Sequence, residues 1–213
     1  MCMLYLGFDH GYQRIEPGEL LFRDDFTDPD LTKKWEISGG DWVSGNGCCV
    51  GTYRIDGGGL IYSHEQIPGD IMIDFYGTII GPCTNDLNFS YRARGWDYEK
   101  NDADIGYITG FNGWYLDRAG IERYPELKLQ ALCEHIKLDS DREYHIQGGI
   151  VGNNCFLAVD GQMILTLADP DPINDPDCNR VGLGTYCSQI RFRDFKVYRP
   201  VKTYVPMKYT PAF

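Results

Sequence analysis

The residues of this chain best suited to moving protons at neutral pH are its four histidines, His10, His64, His135 and His145. Histidine titrates nearest to neutrality, so each one is an acid/base candidate, and each also has an ordinary place as a surface or satisfied core residue. His145 sits between the apolar Tyr144 and Ile146, so in a regular strand it points away from their layer. His64 follows Leu60-Ile-Tyr-Ser and leads into an acidic loop, within reach of Asp74 or Tyr76. Tyr107 and Glu122 complete the acid/base set of His145, His64, Tyr107 and Glu122. No His-x-His or His-x-x-x-His spacing occurs, so a catalytic divalent metal would need histidines gathered around Glu122 by the fold.

The run Asp86 to Arg94 alternates in type. Leu87, Phe89, Tyr91 and Ala93 form one face, and Asp86, Asn88, Ser90, Arg92 and Arg94 the other. A one-residue slip would bury five polar groups, so the apolar set faces the core. Asn88, Arg92 and Arg94 then project from the far side, either into solvent or into a cleft, where planar donors suit sugar hydroxyls and Arg can grip a carboxylate with two bonds. Trp96 and Trp114 lie in Gly-rich stretches nearby, and indoles either cap a core or bind the faces of sugar rings. Trp114 joins Asn88, Arg92 and Arg94 as a substrate-binding candidate.

These residues need strands to position them. Glycine is frequent (25), tyrosine abundant (15), and no long helical periodicity is present. Strands are expected over 3–8, 20–26, 70–80, 86–94, 107–112, 127–136, 144–151, 155–161 and 180–198, with hairpin turns at the glycines of 36–43 and 52–62 and at Asp160-Gly161. Three prolines make 169–177 a loop. The reading is one all-β domain over 1–213, a two-sheet antiparallel β-sandwich, with an extended C-terminal tail over 200–213 that wraps the domain or joins copies into a homo-oligomer. Leu20 to Phe26 and Arg180 to Tyr198 are expected to pair as first and last strands. That pairing brings Asp24, Asp25 and Asp194 together.

A formal charge of −11 argues against nucleic acid, whose binding depends on clustered Lys and Arg, and against an anionic membrane surface. No apolar run approaches a membrane span. The eight cysteines include no Cys-x-x-Cys pair, and the first residues lack the basic and apolar regions of a signal peptide. Free thiols and a cytoplasmic setting are expected.

Phe22-Arg-Asp-Asp-Phe26 with Trp35, Tyr144-His-Ile146, Leu157-Ala-Val-Asp-Gly161, Val181-Gly-Leu-Gly184 and Ile190-Arg-Phe-Arg-Asp-Phe-Lys-Val197 follow one another in an order that resembles the concanavalin A-like lectin/glucanase superfamily, from about 20 to 199. Within it the chain looks nearest to 3-keto-disaccharide hydrolase-like jelly rolls and intracellular glycan-utilisation members. The resemblance implies two curved sheets with a saccharide on the concave one. It also implies a structural calcium ion at Asp24, Asp25 and Asp194. The Glu-x-Asp-x-x-Glu strand of laminarinase-type glucanases is missing; the nearest run, Asp70-Ile-Met-Ile-Asp74, has neither glutamate. The expected function is an intracellular glycoside hydrolase or lyase acting on a small glycoside or oligosaccharide. The alternative is a non-catalytic, lectin-like module.

Overall fold

The structure is a computed structural model that describes residues 4–8, 11–114, 118–125 and 129–206. Strands dominate it, and every strand pair is antiparallel. Strands β1 (Leu4–Phe8) and β2 (Gly11–Asp24) form an opening hairpin, followed by a single 3-10 turn at Leu31–Lys33. Next come β3 (Trp35–Ile37), β4 (Asp41–Gly45) and the long β5 (Cys48–Ser63).

Two expected hairpins are corrected here. Strands β3 and β4 do not pair with each other. Both pair with β5, β3 at Ile61–Ser63 and β4 at Cys48–Thr52. The glycines of 52–62 do not turn the chain either, since β5 runs through them. Their use is close approach: a Cβ on Gly59 would lie 2.8 Å from the carbonyl oxygen of Gly39, so the two glycine pairs pack backbone on backbone.

Strand β6 (Ile71–Ile79) follows, then β7 (Leu87–Ala93), a short two-stranded excursion of β8 (Trp96–Asp97) and β9 (Asp102–Ala103), and β10 (Gly106–Gly113) with β11 (Arg118–Tyr124) and β12 (Gln130–Cys133). Strand β13 (Tyr144–Val151) leads to β14 (Asn154–Val159) and β15 (Gln162–Ala168). The turn between these last two is Asp160-Gly161, with φ of 48° and 77°, the doubly left-handed geometry that Asp-Gly adopts most easily.

The chain closes the sandwich with β16 (Arg180–Pro206). Its first part lies between β7 and β5, with Gly182 facing both Ser90 and Tyr62. Its middle lies between β6 and β2, with Val197 facing both Ile73 and Phe22. One sheet therefore runs β12-β11-β10-β7-β16-β5, the other β15-β14-β13-β6-β16-β2, and β16 passes from one to the other. The expected pairing of first and last strands is present, with Asp24 opposite Phe195. Residues 201–206 of the expected tail are not a free arm. They continue β16 beside Gly11–Glu16, while 207–213 lie outside the described residues.

Between the sheets, Leu87, Phe89 and Tyr91 of β7 meet Ile71, Ile73 and Phe75 of β6, all at most 1% exposed, as the alternation requires. Trp35 packs edge-on to Phe22 and Phe195 at 5.4 and 5.3 Å between ring centres, and Phe75 meets Phe89 at 5.4 Å. Burying each such ring contributes about 1.5–3 kcal/mol. Two smaller apolar clusters lie on the outer faces. Leu4, Leu6 and Ile15 of the opening hairpin cover Met72, Val151 and Phe156, and the β8–β9 excursion lays Ala103 over Leu60, Tyr62 and Ile108.

Candidate functional site

The second covering is incomplete, and the gap is a cleft of about 610 Å³ on the outer face of the β12–β5 sheet. Its floor follows from strand register. Asn88 faces Gly110 and Gly184 across the ladder, Gly110 faces Gly120, and Ile108 faces Glu122. Four side chains with bulk or charge, Leu60, Asn88, Ile108 and Glu122, thus stand among glycines that keep the floor low. The walls are Trp96 with Asn101–Ala103 on one side, Asn85, Asp86 and Asn112–Trp114 on another, and Tyr124, Gln130 and Tyr186 beyond.

Two glycines are required for close approach. A Cβ on Gly120 would lie 2.6 Å from the Trp114 ring, which rests flat on that backbone; Trp114 itself is left-handed at φ 54°. A Cβ on Gly113 would lie 2.7 Å from Asp86 Oδ1, so glycine makes room for this carboxyl. Asn112, next to Gly113 in the chain, is pinned by its amide donating to the carbonyls of Thr84 and Leu138 at 2.7 and 2.8 Å.

The electrostatics of the cleft are one-sided. Asp86, Asp102 and Glu122 line it, and no Lys, Arg or His does so among the described residues. Burial pushes the Asp86 carboxyl up from its ordinary 3.8 to about 7; the Glu122 charge adds to this and a hydrogen bond from Asn88 opposes it. Glu122 is also raised, again by burial, while hydrogen bonds from Trp114 and Gln130 (2.9 Å) hold it down. Asp86 Oδ1, Asn88 Oδ1 and Ser90 Oγ are buried without a hydrogen-bond partner.

Of the residues singled out from sequence, the structure brings Glu122, Asn88 and Trp114 into the cleft. It places the others elsewhere. His145 projects from the outer face of β13, its Nε2 3.0 Å from Asp74 Oδ2 and its ring stacked on Tyr76 at 5.0 Å; the Asp74 hydrogen bond raises its pKa against the effect of burial. His64 does not approach Asp74 or Tyr76. Its Nε2 lies 2.9 Å from the carbonyl of Thr32, beside Glu36, Gln66, Arg94, Asp177 and Arg180 in a shallow depression. His135 is exposed beyond β12, and His10 lies outside the described residues.

Tyr107 faces the core, where its hydroxyl donates to Asp169 at 2.6 Å and accepts from the Ile173 amide. Arg92 has the parity of Asn88 yet does not share its face. A register shift against β16 and a left-handed φ of 43° turn its side chain to the carbonyl of Ile173 at 2.7 Å. Arg94 pairs with Asp175 at 2.9 Å and Asp104 at 3.5 Å.

Asp24, Asp25 and Asp194 do not form a calcium cage. Asp24 accepts from the Trp35 indole at 2.7 Å and the Phe26 amide at 2.9 Å. Asp25 accepts from Thr27, and Arg23 lies between it and Asp194, which also takes Lys196. Cationic groups occupy the positions where an ion would need oxygens, so these residues do not fit calcium. No group of three His, Cys, Asp or Glu among the described residues is arranged for a metal ion.

Sequence reasoning passed over Asp86 as a site residue, and missed Asp102, Tyr124, Gln130 and Tyr186. Two had a signal: Asp86 shares the parity of Asn88, and Tyr124 that of Glu122.

No known family model matches the chain, and no curated protein does. Solved structures do share its fold. A Bacillus subtilis protein of unknown function with a galectin-like fold superposes with a TM-score of 0.68 at 14% identity, covering 88% of this chain and 99% of its own. Carbohydrate-binding module CBM66 from Bacillus subtilis gives 0.61 at 17%, covering 78% and 96%. A laminarinase from Flavobacterium sp. UMI-01 gives 0.58 at 11%, covering 85% and 100%. The fold is therefore a concanavalin A-like jelly roll, as the resemblance implied.

Proposed function

We propose that this protein is carbohydrate-active and that its cleft hydrolyses a glycosidic bond, with Asp86 as the proton donor and Glu122 as the partner carboxylate. One observation carries the reading: two carboxyls, both raised by burial, share a cleft walled by Trp96, Trp114, Tyr124 and Tyr186. Asp86, raised to about 7, keeps a proton available near neutrality. Burial raises Glu122 as well, and hydrogen bonds from Trp114 and Gln130 oppose that rise. The Asp86 proton goes to the leaving oxygen as the bond from that oxygen to the anomeric carbon breaks, and Glu122 faces the positive charge that develops there. Water supplies hydroxide to the anomeric carbon, and its remaining proton returns to the carboxyl pair.

The fold supports a saccharide ligand because its solved neighbours include a carbohydrate-binding module and a laminarinase. Elimination is the weaker chemistry for this cleft, since the described lining offers no cation to hold the anion it forms.

The test is release of reducing ends from a panel of oligosaccharides by wild type, Asp86→Asn and Glu122→Gln. Each substitution is expected to lower kcat by roughly 10²–10⁴-fold with the fold intact. Saccharide binding without turnover in the wild type would identify a binding module instead. Turnover that survives both substitutions would remove the pair from the chemistry.

A further inference from the structure

The charge and hydrogen-bonding character of this cleft bear on which sugars it accepts, and this step rests on the saccharide reading above. Its titratable carboxyls, Asp86, Asp102 and Glu122, have no Lys, Arg or His beside them among the described lining residues. Four of the described arginines are committed elsewhere. Arg92 donates to the carbonyl of Ile173, and Arg94 pairs with Asp175. Arg180 donates to the carbonyls of Ser63 and Tyr62 and pairs with Glu36 at 2.8 Å. Arg118 pairs with Glu134 at 2.6 Å.

A second, independent feature concerns hydrogen bonds. Asp86 Oδ1 and Asn88 Oδ1, both on lining residues of the cleft, are buried acceptors with no donor among the described residues. Buried acceptors left open cost free energy until a donor fills them. A sugar hydroxyl is such a donor, whereas a sugar carboxylate is an acceptor only. A carboxylate entering this cleft would lose its water, meet no cation among the described lining residues and face the acids there.

We infer that the cleft selects uncharged saccharides and rejects uronates, with Asp86 and Asn88 accepting ligand hydroxyls and Asp102 contributing to the repulsion. Hydroxyl-rich neutral chains suit these two open acceptors, and the indole of Trp114, laid on Gly120, offers a flat apolar surface in the same cleft.

The experiment compares matched oligosaccharides, each neutral chain against its C6-oxidised uronate form, by calorimetry at pH 7.5 and low salt. Glucose, galactose and xylose series are used, the last paired with its glucuronate-substituted form. At least one neutral chain is expected to bind ten-fold or more tighter than its acidic partner, with the gap narrowing at least three-fold in Asp102→Asn. Acidic members binding as well as or better than neutral ones would overturn the inference while leaving the saccharide reading intact. A gap unmoved by Asp102→Asn would overturn its assignment to the charge of this cleft. Binding of no member would overturn both.

Discussion

Asp169 and Asp86 are both acids in largely buried surroundings, and the protein treats them in opposite ways. The Asp169 side chain, 1% exposed, accepts from Tyr107 at 2.6 Å, from Arg123 at 3.0 Å and from the Asp171 amide at 2.9 Å. With Arg92 holding the carbonyl of Ile173, it fastens the 169–177 loop to the sandwich. Asp86 has no such company. It lies against Gly113 with one oxygen unpartnered, and burial, aided by the charge of Glu122 and opposed by a hydrogen bond from Asn88, raises its pKa. A matched buried acid is an anchor; an unmatched one stores reactivity that a ligand can use.

Substitution tests this contrast. The largest effect on stability is expected at the anchor. Asp169→Ala leaves Tyr107 and Arg123 without their acceptor and should lower the unfolding free energy by about 2–4 kcal/mol, read by chemical denaturation. A loss no greater than that of Asp86→Asn would erase the distinction.

At Asp86 the expected effect depends on pH. The folded carboxyl titrates near 7 and the unfolded one near 3.8, so between these values the folded state binds more protons. Its favourable contribution is complete below 3.8 and is lost as pH rises through about 7. Asp86→Asn should therefore gain thermal stability relative to wild type as pH climbs from 5 to 8. A constant difference across that range would show that Asp86 is ordinarily ionised.

His145 provides a smaller contrast on the opposite face. Asp74 raises its pKa above 6.5, so its stabilisation is complete below 6.5 and is lost as pH rises past the raised value. His145→Gln should cost about 0.5–1 kcal/mol at pH 5.5 and little at pH 8.5, by denaturant titration. An equal cost at both would mean that packing on Tyr76, not charge, holds the ring. The smallest effect is expected at Arg94→Ala, which should leave saccharide affinity within about two-fold because its partners lie outside the cleft. A ten-fold loss would return Arg94 to the binding surface.

The sandwich was legible where side chains alternate. Ile71, Ile73 and Phe75, and Leu87, Phe89 and Tyr91, betray their faces in the sequence because a slip would bury charge. Glycine was the less legible residue. In 52–62 it marks close approach to another backbone, and only the partner at 39–40 reveals that. The site was half legible for the same reason. Asn88 and Glu122 follow from strand parity, but Arg92 breaks parity at the register shift between the Ser90–Gly182 and Ala93–Arg180 pairs, which β16 imposes from far along the chain. His145 keeps its parity and still misses the cleft, because parity names a face and not a sheet. The Asp86 shift is the least local feature, since it depends on burial against Gly113 of β10 and on the charge of Glu122 on β11.

The long β16 also bears on how the chain comes into being. Its middle supplies β2 with the partners of Phe22 and Asp24, and its first part flanks Leu60 and Ile61 of β5. A ribosome adding ~5–20 residues per second delivers those partners roughly ten to thirty seconds after β2 itself has emerged. For that interval Phe22 and Trp35, both destined for the core, lack Phe195 of β16, against which they pack. Nascent chains of this protein should therefore depend on chaperone cover until β16 is made, and a stall between β15 and β16 should be the most aggregation-prone point of synthesis.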